Sequence, residues 1–202
     1  MIISRTPLRV SLFGGGLDYP EWFNNNSTNV INFAINQYIY ILIKKIKNIH
    51  NYNYKLRYFK TEEVKEKKNI NHSVYRKVLE KYLDKNLSIE LIYSADLPAL
   101  SGLGSSSSNT VGVINAIHAL KNKNIGKRNL AFKALEIERE MLNEPVGYQD
   151  QIAASFGGLN HIKLFNKNFD VTPIANKKFI NELNNNFYIY FTGVQRKSKK
   201  RE

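Results

Sequence analysis

Cysteine is absent from this chain of 202 residues, which excludes disulfides and thiolate metal ligands. Histidine is also scarce, and the four residues present are too scattered to suggest a histidine metal cluster: His50, His72, His118 and His161. No run reaches the roughly 18 uninterrupted apolar residues that a membrane span needs, and residues 1–7 lack the basic and apolar regions of a signal peptide. We therefore expect a cytoplasmic protein with no membrane partner, and oxygen ligands for any bound metal.

Acidic residues are few beside basic ones, 17 against 30, and the formal net charge is +13. Such a charge favours anionic partners, which could be nucleic acid, a membrane surface or phosphorylated small molecules. Much of the excess is lysine in runs shared with asparagine and isoleucine, at residues 44–53 and 65–71, and such runs are usually solvated surface. The charge alone does not choose among these partners.

Apolar and alternating runs rich in β-branched and aromatic residues predict strands, and apolar residues at three- and four-residue spacing predict helices. Predicted strands cover residues 2–4, 8–13, 38–46, 55–59, 87–93, 159–164 and 187–191. Predicted helices cover residues 74–83, 108–121, 130–142, 149–155 and 178–183, and residues 60–71 are expected to form a loop or an exposed helical turn. The basic tail at 195–202 directly follows a predicted strand, so we expect the sequence to end inside a series of elements.

A serine-rich segment, Pro98-Ala-Leu-Ser-Gly-Leu-Gly-Ser-Ser-Ser-Ser108, lies between a predicted strand and a predicted helix. Its two glycines let backbone N–H groups approach an anion, and the helix start adds partial positive charge, so the segment suits phosphate. The serine hydroxyls can bond phosphate oxygens or ligate Mg²⁺. The alternative is an ordinary serine-rich turn with a helix N-cap. Neither the P-loop pattern nor the Gly-x-Gly-x-x-Gly dinucleotide pattern fits, because no Gly-Lys-Ser/Thr follows and Ser107 replaces the third glycine.

Two further segments carry carboxylates. A strand enters the triple glycine at residues 14–16 and ends in Asp18, which suits hydrogen bonding to a polyol, although a strand-ending turn is an equally good interpretation. Farther along, Glu138 and Asp150 could divide the cation binding and proton handling that phosphoryl transfer requires. The neighbouring Glu136, Glu140 and Glu144 are expected to be exposed surface residues.

Together these segments resemble the GHMP kinases. The serine-rich segment is similar to the second motif of that family, which wraps nucleotide phosphates, with matches at Pro98, Gly102, Leu103, Gly104, Ser105 and Ser106. The glycine loop has the Gly-Gly-Gly-x-Asp form of the heptose 7-phosphate kinase branch, and residues 147–151, Gly-Tyr-Gln-Asp-Gln, look like the heptose and fucose kinases. The resemblance extends to residues 71–76, 110–120 and 191–193, whereas the glycine-rich third motif of complete family members is missing from this sequence.

The resemblance implies an α+β fold of the GHMP kinase type. A ribosomal-protein-S5-domain-2-like N-terminal domain would cover residues 1–180, and residues 181–202 would begin a truncated second domain. Asp150 would be the catalytic base, and Ser106 and Glu138 would bind magnesium. The sugar would contact Arg9, Gly15, Gly16, Asp18 and Gln149. The nucleotide would contact Pro98, Ser101, Gly102, Leu103, Gly104, Ser105, Ser106, Ser107 and Ser108.

In function, the resemblance implies a kinase that uses ATP and Mg²⁺. The favoured substrate is D-glycero-D-manno-heptose 7-phosphate, phosphorylated at its anomeric hydroxyl to the 1,7-bisphosphate for surface-glycan synthesis. The alternatives are a related kinase for fucose or another hexose, an inactive fragment, and a basic RNA-binding protein with an S5-like fold. We expect a small-molecule sugar phosphate and no nucleic acid, because the positive residues are scattered. An apolar face left open by truncation would favour a homodimer.

Overall fold

The computed structural model describes residues 1–47, 50–98 and 101–190. Within these ranges seven strands form one sheet in the order β4-β3-β5-β2-β6-β7, and β1 pairs with β2. The strands are β1 (Ile2–Phe13), β2 (Thr28–Lys45), β3 (Tyr54–Arg57), β4 (Thr61–Val64), β5 (Ile89–Ala95), β6 (Leu159–Phe165) and β7 (Asn168–Pro173). The helices are α1 (Pro20–Phe23), α2 (Ser73–Tyr82), α3 (Ser105–Leu120), α4 (Lys127–Leu135), α5 (Gln149–Phe156) and α6 (Lys177–Asn186), with a 3₁₀ turn (Lys67–Asn69) and a π-helix (Glu136–Met141).

The long strand β2 organises the sheet. It pairs antiparallel with β1 along one edge. Along its other edge, residues 28–33 of β2 pair with β6 and residues 39–45 of β2 pair with β5. The second half of β2 alternates in the manner of a strand with one covered face, because Ile39, Ile41 and Ile43 are fully buried. β3 joins β5 in parallel, and the other pairings are antiparallel.

Helix α3 fills the centre of the hydrophobic core. It packs on β1 and β2, and its Val113, Ile114 and Ile117 are buried in the same cluster as the isoleucines of β2. Because α3 also contacts α2, α4 and α5, it is apolar on most sides and has no wide polar face. A second cluster joins α4 and α5 to β6 and β7, and it includes Ile152 and Phe169. The start of α3 is therefore held between the sheet and α5.

Several sequence predictions differ from the structure at their boundaries. β1 is continuous, and β2 begins ten residues before its predicted start, where Asn29, Asn32 and Asn36 lower the apparent strand propensity. The loop predicted at residues 60–71 is wrong where β4 forms, because that strand is short and polar. β7 was not predicted, and α3 begins three residues early, at Ser105.

The predicted strand at residues 187–191 is wrong for residues 187–190, which form neither strand nor helix. Residue 191, the matched stretch 191–193 and the basic tail 195–202 lie outside the described residues. The helix predicted near residue 178 is confirmed as α6, which contributes no buried side chain. The division into domains at residue 180 stays a prediction. Within the described ranges, no helix has the length and apolar character required to cross a membrane.

Candidate active site

Three segments that sequence analysis singled out meet around Arg9 of β1. The Arg9 backbone N–H donates to the carbonyl of Leu103 (3.1 Å), and its Nη1 donates to the carbonyl of Gly102 (3.1 Å). Its Nε and Nη2 lie 2.7 and 2.6 Å from Oδ1 of Asp150 in the first turn of α5. Arg9 therefore ties the serine-rich segment and Asp150 to the edge of the sheet.

Gly104 is the N-cap of α3 and has a left-handed φ of 75°, which a side chain would strain. A Cβ there would lie 3.4 Å from Oδ2 of Asp150. The α3 N-terminus consequently opens beside the Asp150 carboxylate, and its first turn has backbone N–H groups without helical partners. This is the physical arrangement for binding an anion next to a carboxylate.

The serines of this segment divide into two groups. Ser107 and Ser108 are buried, with Ser107 Oγ donating to Oε2 of Glu138 (2.9 Å) and Ser108 Oγ donating to the carbonyl of Pro7 (2.8 Å). Ser106 is exposed, Ser105 is half-buried, and Ser101 has a buried hydroxyl without a hydrogen-bond partner. Ser101, Ser105 and Ser106 are thus the serines whose hydroxyls are not engaged by these protein contacts.

Glu138 is fully buried inside the π-helix, a rare conformation that is common at functional sites. Its carboxylate accepts hydrogen bonds from Ser107, from Oγ1 of Thr110 (2.6 Å) and from Nε2 of Gln151. Burial raises the pKa of Glu138 to about 7, although the three donors act in the opposite direction. The site is therefore a desolvated carboxyl group lined by hydroxyl and amide groups.

This donor set fits magnesium. Hydroxyl, amide and carboxylate oxygens are the ligands of hard cations, and Gln151 adds a buried carbonyl oxygen without a hydrogen-bond partner. Over the described part of the chain there is no group of three or more His, Cys, Asp or Glu side chains placed to hold a metal. Magnesium sites at substrate phosphates often use only one or two carboxylates, so Glu138 is compatible with such a site.

Asp18 lies almost completely buried, with 2% of its surface exposed. Its Oδ1 accepts a hydrogen bond from the Gly16 N–H and its Oδ2 accepts one from the Gln149 N–H, both at 3.1 Å. Burial raises the pKa of Asp18, and the charge of Asp150 raises it further. A Cβ on Gly147 would lie 1.9 Å from Oδ2 of Asp18, so this close approach requires glycine. Asp18 joins the glycine loop to the start of α5.

Ser11 is a member of this site that sequence analysis missed. A Cβ on Gly15 would lie 3.0 Å from Ser11 Oγ and 3.4 Å from Nε2 of Gln149, so these three residues are neighbours. Ser11 Oγ and Gln149 Oε1 are buried without hydrogen-bond partners. Ser11 lies within the strand that enters the glycine loop, and that position was its only sequence signal. Glu140 is exposed as expected, whereas Glu136, which pairs with Lys81, and Glu144 are half-buried.

Residues 69–158 match the family model for the GHMP kinases N terminal domain. A curated relative, the D-glycero-alpha-D-manno-heptose 7-phosphate kinase of Campylobacter jejuni, is 36% identical over 98% of this chain and 61% of its own length. The galactokinase of Pyrococcus furiosus is 34% identical over 51% of this chain and 28% of its own length. A crystal structure of a D-glycero-D-manno-heptose 1-phosphate kinase from Bacteriodes thetaiotaomicron has a TM-score of 0.78 and 28% identity, covering 89% of this chain and 62% of that one.

The fold is therefore that of the GHMP kinases, which confirms the α+β fold expected from the motifs. More particularly, residues 69–158 match the GHMP kinase N-terminal domain, and the resemblance of the chain to the heptose kinases is confirmed. The chain spans about three fifths of the length of its heptose kinase relatives: 61% of the curated one and 62% of the crystal structure.

Proposed function

We propose that this chain forms the nucleotide- and sugar-binding part of an ATP-dependent sugar kinase. The observation that carries the proposal is the position of Asp150, whose carboxylate is fixed by Arg9 and lies against the glycine at the start of α3. Phosphoryl transfer to an alcohol needs an anion-binding element next to a group that orients or accepts the hydroxyl proton. The start of α3 and the Asp150 carboxylate, which would fill these two roles, lie next to each other at Gly104.

The nucleotide phosphates would bind at the start of α3. The φ of 77° at Gly102 and the helix start after Gly104 leave backbone N–H groups available, and Ser101, Ser105 and Ser106 add hydroxyls. Glu138 and a serine of this segment would hold Mg²⁺, which neutralises phosphate charge when bound. Ser106 is the serine that the family resemblance favours, whereas Ser107 is the one hydrogen-bonded to Glu138.

Asp150 would prepare the acceptor hydroxyl. Both contacts from Arg9 fall on Oδ1, whereas Oδ2 is the oxygen next to Gly104. The guanidinium thus fixes the plane of the carboxylate and turns one oxygen toward the anion site. This geometry suits removal or orientation of a hydroxyl proton as the phosphoryl group arrives.

The sugar would lie between the glycine loop and the start of α5. Ser11 and Gln149 offer buried polar atoms there without protein partners, and Asp18 fixes the backbone that surrounds them. We favour heptose 7-phosphate, accepted at its anomeric hydroxyl, because the curated relative that aligns with 98% of this chain carries that name. The competing substrates are fucose and heptose 1-phosphate, the sugar in the name of the kinase whose crystal structure is similar.

The test is ADP release from Mg-ATP with heptose 7-phosphate, heptose 1-phosphate and fucose in parallel. Asp150→Asn should lower kcat by about 10²- to 10⁴-fold, the usual contribution of general base catalysis. The matched control is Asp170→Asn, an aspartate paired with Arg128 at the surface, which should change kcat less than twofold. Wild-type-like turnover of Asp150→Asn would refute the assigned role. The same assay on a chain extended to the length of the curated relative separates a missing segment from a wrong substrate.

A further inference from the structure

Gln151 is a buried neighbour of the Glu138 carboxylate. Gln151 follows Asp150 in the first turn of α5, and its side chain points to Glu138, whereas that of Asp150 points to Arg9. Gln151 is fully buried, so its amide group does not contact bulk solvent. One turn of helix therefore presents two polar side chains to two different parts of the site.

The two ends of the Gln151 amide are in different situations. Nε2 donates to Oε2 of Glu138, while Oε1 is buried and has no hydrogen-bond partner. An amide oxygen and nitrogen are roughly 2.2 Å apart, so this unpartnered oxygen lies close to the Glu138 carboxylate. A buried acceptor without a donor costs about 1–3 kcal/mol, and such a group calls for a partner from outside the chain.

The other contacts of Glu138 explain why a partner would be a cation. Ser107 and Thr110 already donate to the carboxylate, so the hydroxyls of α3 and the amide of Gln151 hold it from two sides. An ionised carboxylate beside an unpartnered carbonyl oxygen is an acceptor pair that suits a hard divalent cation or one of its bound waters. An apolar ligand or an anion would leave the Gln151 oxygen unsatisfied.

We propose that Gln151 is a positioning residue for Glu138, and that its free carbonyl oxygen completes the oxygen-lined pocket for the divalent cation. The inference rests on the proposed function, because it assigns the cation site of the same kinase. Through its N–H the amide fixes the rotamer of Glu138, and through its oxygen it faces the cation or a water on it. Gln151 does not touch the reacting atoms in this assignment.

The experiment measures Mn²⁺ affinity of the purified chain by electron paramagnetic resonance, with Mn²⁺ alone as the probe. Gln151→Met keeps the volume and removes both polar atoms, and it should weaken Mn²⁺ binding about 10- to 100-fold, the usual effect of losing a group that orients a metal ligand. Gln151→Glu removes the N–H that holds Glu138 but keeps an oxygen and adds charge, so it should bind Mn²⁺ more tightly than Gln151→Met. A purely structural glutamine would give no such difference in Mn²⁺ affinity between the two variants.

Gln149→Met is the matched control. This glutamine lies in the same turn of α5, but its side chain is beside Ser11 and Gly15, so Mn²⁺ affinity should stay within twofold of the wild type. Thermal unfolding of each variant shows that it is folded. The inference is overturned if Gln151→Met binds Mn²⁺ as the wild type does, or if the wild type binds none. The kinase proposal is judged separately, by the dependence of turnover on Asp150.

Discussion

Without bound metal, Glu138→Gln should keep more of its free energy of unfolding than the wild type does as the pH rises. The reason is that the amide, unlike the buried carboxyl group, cannot ionise. Burial raises the pKa of Glu138 from 4.5 to about 7, whereas the unfolded chain keeps the ordinary value. Below pH 4.5 both states hold the proton. Between these two values the unfolded state loses the proton first, so the free energy of unfolding falls as pH rises, and the loss is complete above pH 7.

The magnitude follows from the size of the shift. A shift of one pKa unit corresponds to about 1.4 kcal/mol, so the free energy of unfolding of the wild type should fall by about 2–3 kcal/mol between pH 5 and pH 8 because of Glu138 alone. Glu138→Gln cannot titrate, so the difference between variant and wild type should change by that amount. Any cost of the amide itself is the same at both pH values and cancels.

The assay is urea unfolding of both proteins at pH 5 and pH 8 with EDTA present. A difference between the two proteins that is the same at both pH values, within about 0.5 kcal/mol, would refute the buried, weakly acidic Glu138. Excess Mn²⁺ at pH 8 should reduce the difference in free energy of unfolding between the variant and the wild type, because a cation stabilises the ionised folded state of the wild type.

Two further predictions concern packing. Gly147→Ala places a Cβ 1.9 Å from Oδ2 of Asp18, so it should raise the KM for the sugar and lower the melting temperature. Gly126 has open space around it, so Gly126→Ala should change neither value. A melting temperature of Gly147→Ala equal to that of the wild type would contradict the close approach. Tyr75→Phe removes the 3.1 Å hydrogen bond to the buried Oδ1 of Asn109 and should lower the free energy of unfolding in urea by about 1–3 kcal/mol. Tyr190 is exposed, so Tyr190→Phe should leave this free energy unchanged. A loss below about 0.5 kcal/mol for Tyr75→Phe would show that Asn109 finds another partner.

Much of the fold could be predicted because local pattern and tertiary role agree. The isoleucines of β2 alternate, and α5 ends where Gly157 takes a positive φ of 63°. The first half of β2 could not be predicted in the same way. Its buried Asn32 is placed by pairing with Ser11 and Asn160 on neighbouring strands, and such long-range pairing leaves no local signal.

The site was predictable in its motifs and less so in its contacts. The family resemblance drew attention to Asp150 and Glu138, and the structure brings each against the serine-rich segment. Thr110 was missed as a partner of Glu138, because nothing in its sequence surroundings shows which way the π-helix turns the carboxylate. The burial of Ser107 was missed because a run of four serines carries no information about which one faces inward.

The long strand β2 contributes buried side chains to both hydrophobic clusters. Its buried positions are even-numbered in the first half, at Val30 and Asn32, and odd-numbered in the second half, at Ile39, Ile41 and Ile43. The change of parity occurs where the pairing with β1 shifts between Pro7 and Arg9. Deleting one residue in that stretch would turn one half of the strand inside out relative to the other. The number of residues between Asn32 and Ile39 is therefore fixed more strictly than their identity, and homologous sequences should vary there by substitution and not by length.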